Sequence, residues 1–464
     1  MANIEDVKLL GLEPSNKFVM FGCWNNLRNK NSGLEKTMNA LNRYLIENKI
    51  DFIANAGDNY YPDKSQKEEN KAKEEKKAKK EEETTVKKDK TKKDKKKETP
   101  DKRIIIKDLM DGFNMLPKDI PIKMILGNHD LETNKPDKRS YTLQYLKDDI
   151  SALEPDGECA ILKAEKNIIY DSNNITFGIH HEKVVNNTLV LMIDTSLYDE
   201  VDVVDFEVCY RVAVEKQTNI ENLRLDQSAF IHGQISANPG IQNIIIIGHH
   251  PITGYKKKGE VKLTSIFPLF INELEAIVQH RADQLRDKQH RANQQQADQQ
   301  QANQQQANQQ QTLTYLCADL HLFQEGIVTL PSGAEIHQLI VGTGGTAIED
   351  TYAHSEILSS VERDVDVEHV DIMPVKKVSY KMIGENIFAH GFLVCDCSGF
   401  KPIFTFMQSD AILAAADVVG GNKKTKNKKT KRQRTKKRQK TKRQKTKRQN
   451  QKAKQTMRRR RTRM

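Results

Sequence analysis

The chain has 464 residues, 37% hydrophobic and 30% charged, with a formal net charge of +12. No apolar run approaches the roughly 18–20 residues that a bilayer-spanning helix needs, so no transmembrane segment is expected. The six cysteines (23, 159, 209, 317, 395 and 397) are too few and too scattered for a disulfide framework, which points to a reducing compartment.

The N-terminal stretch MANIEDVKLLGLEP lacks the basic start and apolar core of a secretory signal, so an intracellular location, cytoplasm or nucleus, or a virion if the source is viral, is expected. The first strand is read in FVMFG (18–22), which runs into Gly22-Cys23-Trp24. A helical pattern follows at 33–49, then a strand in DFIANAGD (51–58) that delivers Gly57-Asp58-Asn59-Tyr60-Tyr61. Residues 64–103 are almost wholly charged, with Val86 the one large apolar residue. Such a segment buries too little surface to offset its ordering entropy, so it is read as an insertion, either a solvated helix or disordered.

Four further apolar runs close on polar turns: IKMILGNHD (122–130), LVLMIDTS (189–196), NIIIIGHH (243–250) and LTYLCADLH (313–321). A run such as IIII lacks alternation and predicts a strand covered on both faces. Another helix is predicted over 266–279, followed by a Gln-rich insertion, 280–311, whose ANQQQ period matches neither a helical nor a strand face and is read as an expanded loop. Strands alternating with helices predict an α/β domain over residues 1–422, with its chemistry at the strand carboxyl ends. Residues 423–464 hold 24 Lys and Arg and no Asp or Glu, which leaves the preceding part at −12. This basic tail is expected to be disordered and to bind non-specific nucleic acid or another polyanion by counterion release. It has no aromatic residue to stack on bases.

Three strand ends, GDNYY (57–61), GNHD (127–130) and GHHP (248–251), gather Asp, Tyr, Asn and His, a donor mixture suited to iron, zinc or manganese. In this order they resemble the calcineurin-like metallophosphoesterases, and Tyr61 resembles the purple acid phosphatase-like branch. LVLMIDTSLY (189–198), LRLDQSAFIHGQI (223–235), LIVGTGGT (339–346) and the pair GFLVCDC and KPIFTFM extend the likeness over most of residues 17–408. The resemblance implies a four-layer α/β/β/α sandwich and hydrolysis of a phosphate ester, a phosphomonoester first, by a hydroxide bridging two metal ions. It makes Asp58 the bridging carboxylate, gives Tyr61 and His321 to the first metal, and gives Asn128 and His249 to the second. His129 becomes the proton donor or phosphate-orienting group, with Asp130 fixing its ring.

Two positions depart from the family pattern. Cys23 stands where a first-metal aspartate is expected, and Asp319 where a second-metal histidine is expected. Both remain metal-binding residue types, so both are kept as ligands of a retuned centre. Two other functions stay open: a catalytically impaired binding protein tethered to nucleic acid by its tail, and a nucleic-acid or nucleotide phosphodiesterase. His250 either lines the substrate site or packs under its loop. His180, His181 and His337 are read as structural or exposed, and Cys395 and Cys397 as core. Lys256, Lys257 and Lys258 are available to a phosphorylated substrate or simply solvated.

Overall fold

The computed structural model describes residues 14–27, 32–61, 63–64, 102–103, 106–131, 162, 165, 173–199, 207, 209–211, 214, 218–258, 260–264, 266–296, 312–349, 351 and 378–415. The chain divides into one unit of Met1–Ser409 and a second of Asp410–Met464.

In the first unit, the chain runs through β1 (Lys17–Phe21), α1 (Leu34–Glu47), β2 (Phe52–Asn55), β3 (Asp63–Lys64), β4 (Lys102–Arg103), α2 (Ile106–Asn114), β5 (Ile122–Met124), the one-turn α3 (Asn128–Leu131) and β6 (Ile175–Phe177). It continues through β7 (His180–Val185), β8 (Thr188–Ile193), α4 (Ile220–Ala237), β9 (Asn243–Ile247), the hairpin β10 (Tyr255–Lys258) and β11 (Glu260–Leu263), and α5 (Pro268–Gln296). The remaining strands are β12 (Thr312–Cys317), β13 (Phe323–Thr329), β14 (Glu335–Val341), β15 (Ser379–Met382), β16 (Gly391–Asp396) and β17 (Ile403–Gln408).

Two mixed sheets result. The six-stranded sheet has the order β17-β16-β1-β2-β5-β6, and the seven-stranded sheet the order β15-β13-β14-β12-β9-β8-β7. In the first, β1, β2, β5 and β6 are parallel, with Phe18 opposite Phe52 and Ile53 opposite Ile122. In the second, β8, β9, β12 and β14 are parallel, with Leu316 opposite Ile247. The final hairpin, β16 with β17, closes the first sheet beside β1.

The apolar runs are uninterrupted because each strand is packed on both faces. On β8, Leu189, Leu191 and Ile193 meet Ile231 and Ile235 of α4 and Phe270 and Leu274 of α5. The alternate residues Val190 and Met192 turn the other way, onto Phe18, Met20 and Phe52 of the opposite sheet. Ile244 and Ile246 of β9 join the helix-facing core, and Ile245 and Ile247 the sheet-facing one. Each fully buried side chain of this kind contributes about 1.5–3 kcal/mol. On the far side, α1 buries Leu34, Met38 and Leu41 and sets Tyr44 edge-on to Phe392 of β16. Helix, sheet, sheet and helix make the expected four layers.

Three expectations are modified. Helix α5 does not stop at residue 279 but runs to Gln296, well into the Gln-rich stretch read as loop. Gln, Ala and Arg are good helix formers, and tertiary contacts hold the extension: Arg281 donates to the Ile241 carbonyl, and Gln284 to that of Ile235 at 3.3 Å. The flanks of the charged insertion pair with each other, Asp63 opposite Arg103 and Lys64 opposite Lys102. Cys209 is disulfide-bonded, its partner lying outside the described residues, whereas Cys23, Cys317, Cys395 and Cys397 are free and buried. Proximity in the fold, not sequence spacing, decides which thiols meet. Residues 65–101, 297–311 and the tail 423–464 also lie outside the described residues. Among the described residues no helix is long and apolar enough to cross a membrane. In the second unit, residues 410–415 are helical.

Candidate metal centre

The carboxyl ends of parallel strands from both sheets meet at one place. Cys23 follows β1, Asp58 follows β2, Asn128 follows β5, His249 follows β9, and Asp319 and His321 follow β12. Backbone hydrogen bonds brace the turns: Cys23 donates to Gly57 at 3.1 Å, Gly344 to Gly22 at 3.0 Å, and Ala318 to His249 at 2.9 Å. Cys23, Asp58 and Asp319 have φ values of 52°, 55° and 53°, the left-handed conformation that non-glycine residues avoid. That conformation costs roughly 1–2 kcal/mol per residue, less for Asp than for Cys, so three occurrences concentrate backbone strain at these turns. Gly57 and Gly127 allow the turns to touch. A Cβ on Gly57 would sit 2.5 Å from Gly127 N, and one on Gly127 would sit 2.3 Å from Asp58 Oδ1.

One group of donors surrounds Asp58 Oδ2. The Tyr61 hydroxyl donates to it at 2.6 Å and lies 3.2 Å from His321 Nε2. Cys23 Sγ is 3.8 Å from the same oxygen. Ligand atoms of Cys23, Asp58 and His321 all lie within 4.8 Å of one another. Burial, reinforced by the Asp58 charge, pushes the Cys23 thiol and the Tyr61 phenol well above their ordinary values. Burial lowers His321 to about 4, leaving it a neutral nitrogen donor. For Asp58 burial works the opposite way, yet the charges of His249 and His129 and the hydrogen bonds from His249 and Tyr61 outweigh it and hold the carboxyl far below the usual range.

A second group surrounds His249 Nε2, which is 3.1 Å from Asn128 Oδ1, 3.3 Å from Asp58 Oδ1 and 4.0 Å from Asp319 Oδ1. Its Nδ1 is 2.8 Å from the Ala56 carbonyl oxygen. Because that oxygen only accepts, Nδ1 carries the proton and Nε2 faces the three oxygens. Burial would lower His249, but Asp58 overrides it and raises the ring to about 9. A proton thus sits where three oxygens converge on a nitrogen. A cation fits the same place and would displace it, as it would the thiol and phenol protons opposite. All seven residues expected as ligands are therefore brought together, and their donor chemistry suits metal ions.

The two residues expected to act in catalysis differ in setting. His129 is half-buried, its ring 4.7 Å from that of Tyr61, and its backbone N–H donates to Asp58 Oδ1 at 3.0 Å. Asp130 turns inward. Its Oδ1 accepts from Asn59 N at 2.8 Å, and its Oδ2 from Gly127 N (2.8 Å), Asn59 Nδ2 (2.9 Å) and Asp58 N (3.0 Å). This carboxylate, raised to about 6 by burial and by Asp58, fastens one ligand-bearing turn to another.

Several supporting residues were missed by sequence reading. Asn59 Oδ1 accepts from Trp24 Nε1 at 3.2 Å while its amide donates to Ile125, linking three turns. Its place between two site residues in GDNYY was the available signal. Thr195 Oγ1 accepts from the backbone of His249 (3.1 Å) and His250 (2.9 Å) and lies 3.1 Å from His250 Nδ1. Gln227 clasps the Asp194 backbone from both sides, at 2.9 and 3.0 Å. His250 therefore packs under the loop, lowered to about 4 by burial. His181 is buried 2.9 Å from the Met124 carbonyl, His180 stacks on Phe230, and His337 pairs with Glu325 on the sheet. Cys395 and Cys397 lie in the core between the sheets. Lys256 pairs with Glu349 at 3.4 Å, and Lys257 donates to Thr351 O at 3.3 Å.

No curated protein matches the sequence. Among solved structures, the chain is similar to the purple acid phosphatase PPD1 from yellow lupin (Lupinus luteus) seeds, at 12% identity and a TM-score of 0.37, with 85% of this chain and 51% of that one covered. The chain thus spans about half the length of that protein. A family model described as calcineurin-like phosphoesterase matches residues 17–279, more than half of the chain and inclusive of Cys23, Asp58, Tyr61, Asn128 and His249. With that match over the turns that build the centre, the chain belongs to the calcineurin-like phosphoesterase family.

Proposed function

We propose that the protein is a metal-dependent phosphoesterase of the purple acid phosphatase-like kind that hydrolyses phosphomonoesters at a dinuclear centre. The observation that carries this reading is the position of Asp58, whose Oδ2 faces Tyr61 and Cys23, with His321 grouped beside them, while its Oδ1 faces His249. One ionised carboxylate with an oxygen toward each donor group suits a bridging ligand. A bound pair of iron, zinc or manganese ions would supply an activated water and neutralise charge on the phosphate. The chain's own residues hold that arrangement. His249 is locked by Ala56 in the tautomer that offers Nε2, Asn128 adds a neutral oxygen, and Asp130 keeps the turns in register. His129, at the edge of the centre, donates a proton to the departing oxygen. The monoester reading rests on the resemblance of the GDNYY turn to the purple acid phosphatase-like branch, and the basic tail is assigned to non-specific nucleic acid or another polyanion.

The test is metal content and turnover of aryl phosphate mono- and diesters by the purified full chain and by Asp58→Asn. Two metals per chain and monoester turnover that Asp58→Asn abolishes are expected. Diester turnover in excess of monoester would move the substrate to phosphodiesters. Two metals without turnover would favour the binding-protein reading. Fewer than two metals, with equal background rates for both proteins, would refute the enzyme.

A further inference from the structure

We propose that the Cys23 half of the centre is a thiolate site that selects a thiophilic divalent cation of the zinc, cobalt or cadmium class, so that the two halves load with different metals. The inference rests on the dinuclear reading only in requiring that a cation binds there.

The four donors on this side are Cys23 Sγ, Asp58 Oδ2, the Tyr61 hydroxyl and His321 Nε2: one sulfur, two oxygens and one nitrogen. A four-donor set with sulfur and imidazole suits tetrahedral zinc-like ions. The opposite side offers oxygens from Asp58, Asn128 and Asp319 around His249 Nε2, with no sulfur among the described residues. Thiolate favours soft ions, whereas carboxylate and amide oxygens favour harder ones such as manganese, so the two sides differ in preference.

The aim of the side chain separates Cys23 from the other buried thiols. Cys317, for instance, points its Sγ at the Leu339 carbonyl, 3.7 Å away within the sheet. Cys23 is held in the left-handed conformation, its N–H donating to Gly57 at 3.1 Å and its carbonyl accepting from Thr346 at 3.0 Å. These bonds fix the turn so that Sγ faces the Asp58 carboxylate. On loading, the sulfur–metal bond forms as the S–H bond breaks and its proton leaves to solvent; no oxidant or reductant takes part.

The experiment titrates the metal-free full chain with Co(II) and records its electronic spectrum. Wild type is expected to develop a near-ultraviolet thiolate-to-cobalt charge-transfer band, retained in Cys317→Ser and absent in Cys23→Ser. Because Cys23→Ser could perturb folding, Cys23→Asp serves as a second variant. It should keep the wild-type circular dichroism and the visible cobalt bands, lose the charge-transfer band, and shift the Cd(II)-over-Mn(II) preference at least tenfold toward manganese. Cobalt binding without the band, a band that survives Cys23→Ser, or an unchanged cadmium-to-manganese preference in Cys23→Asp would each overturn the inference. Metal binding and Asp58-dependent turnover without the band would sink this inference alone. Absence of any metal binding would sink the phosphoesterase reading with it.

Discussion

Replacing Asp130 separates a role in chemistry from a role in holding the site. Its buried carboxylate accepts four hydrogen bonds, three of them from the backbone N–H groups of Gly127, Asp58 and Asn59. In Asp130→Ala these three backbone donors lose their acceptor, and a buried orphan donor costs about 1–3 kcal/mol. Three together amount to roughly 3–9 kcal/mol, with water entering the space left by the carboxylate favouring the lower end. At about 1–2 °C per kcal/mol for a domain of roughly 300–400 residues, a loss near 4 kcal/mol lowers the melting temperature by roughly 4–8 °C. Asp130→Asn keeps one oxygen, and orienting that oxygen toward the three-donor side leaves Asn59 N orphaned, so about 2 kcal/mol is lost. Urea unfolding of the full chain, followed by circular dichroism, measures both. If Asp130→Ala unfolded at the wild-type midpoint while turnover collapsed, the carboxylate would belong to the chemistry and the bracing role would be wrong.

Gly57→Ala should cost at least about 2 kcal/mol, since the left-handed backbone and overpacking each contribute about 1 kcal/mol or more and the new Cβ would meet the Gly127 and Leu126 backbone at 2.5–2.6 Å. An unchanged unfolding midpoint would refute the close approach of the two turns. Asp194, raised to about 7 chiefly by burial, binds its proton more tightly when folded. Its stabilising contribution is therefore complete below about pH 4 and is lost as the pH rises through about 7, amounting to about 3 kcal/mol between pH 5 and 8. In metal-free protein, unfolding of wild type against Asp194→Asn should show the wild type losing ground by that amount over this interval, and a pH-independent difference would contradict it. Deleting 423–464 should abolish retention on immobilised nucleic acid and its steep salt dependence; retention equal to wild type would remove the assignment of the tail.

Local pattern was enough to find the strand ends. The unbroken IIII of β9 predicted burial on both faces, and its four isoleucines do divide between the helix-facing and sheet-facing cores. The turns after β1, β2, β5, β9 and β12 were legible for the same reason: strand periodicity and its termination are properties of neighbouring residues. Helix α5 shows where such reading stops. The pentapeptide repeat of 280–311 has no helical period, and the contacts that hold α5 beyond residue 279, made by Arg281 and Gln284, come from α4 and the segment before β9.

By itself, then, the sequence determined the fold class and which residues stand at the strand ends. Tertiary structure alone decided what those residues face. Asp130, next to His129 in the chain, spends its oxygens on Gly127, Asp58 and Asn59, and His250, next to His249, is drawn beneath the loop by Thr195. Cys23 could have been one more buried thiol, and only the meeting of turns from separate strands sets its sulfur against Asp58 beside His321. Side-chain direction at a turn depends on backbone conformation and on partners distant in sequence, and neither is encoded in a local period.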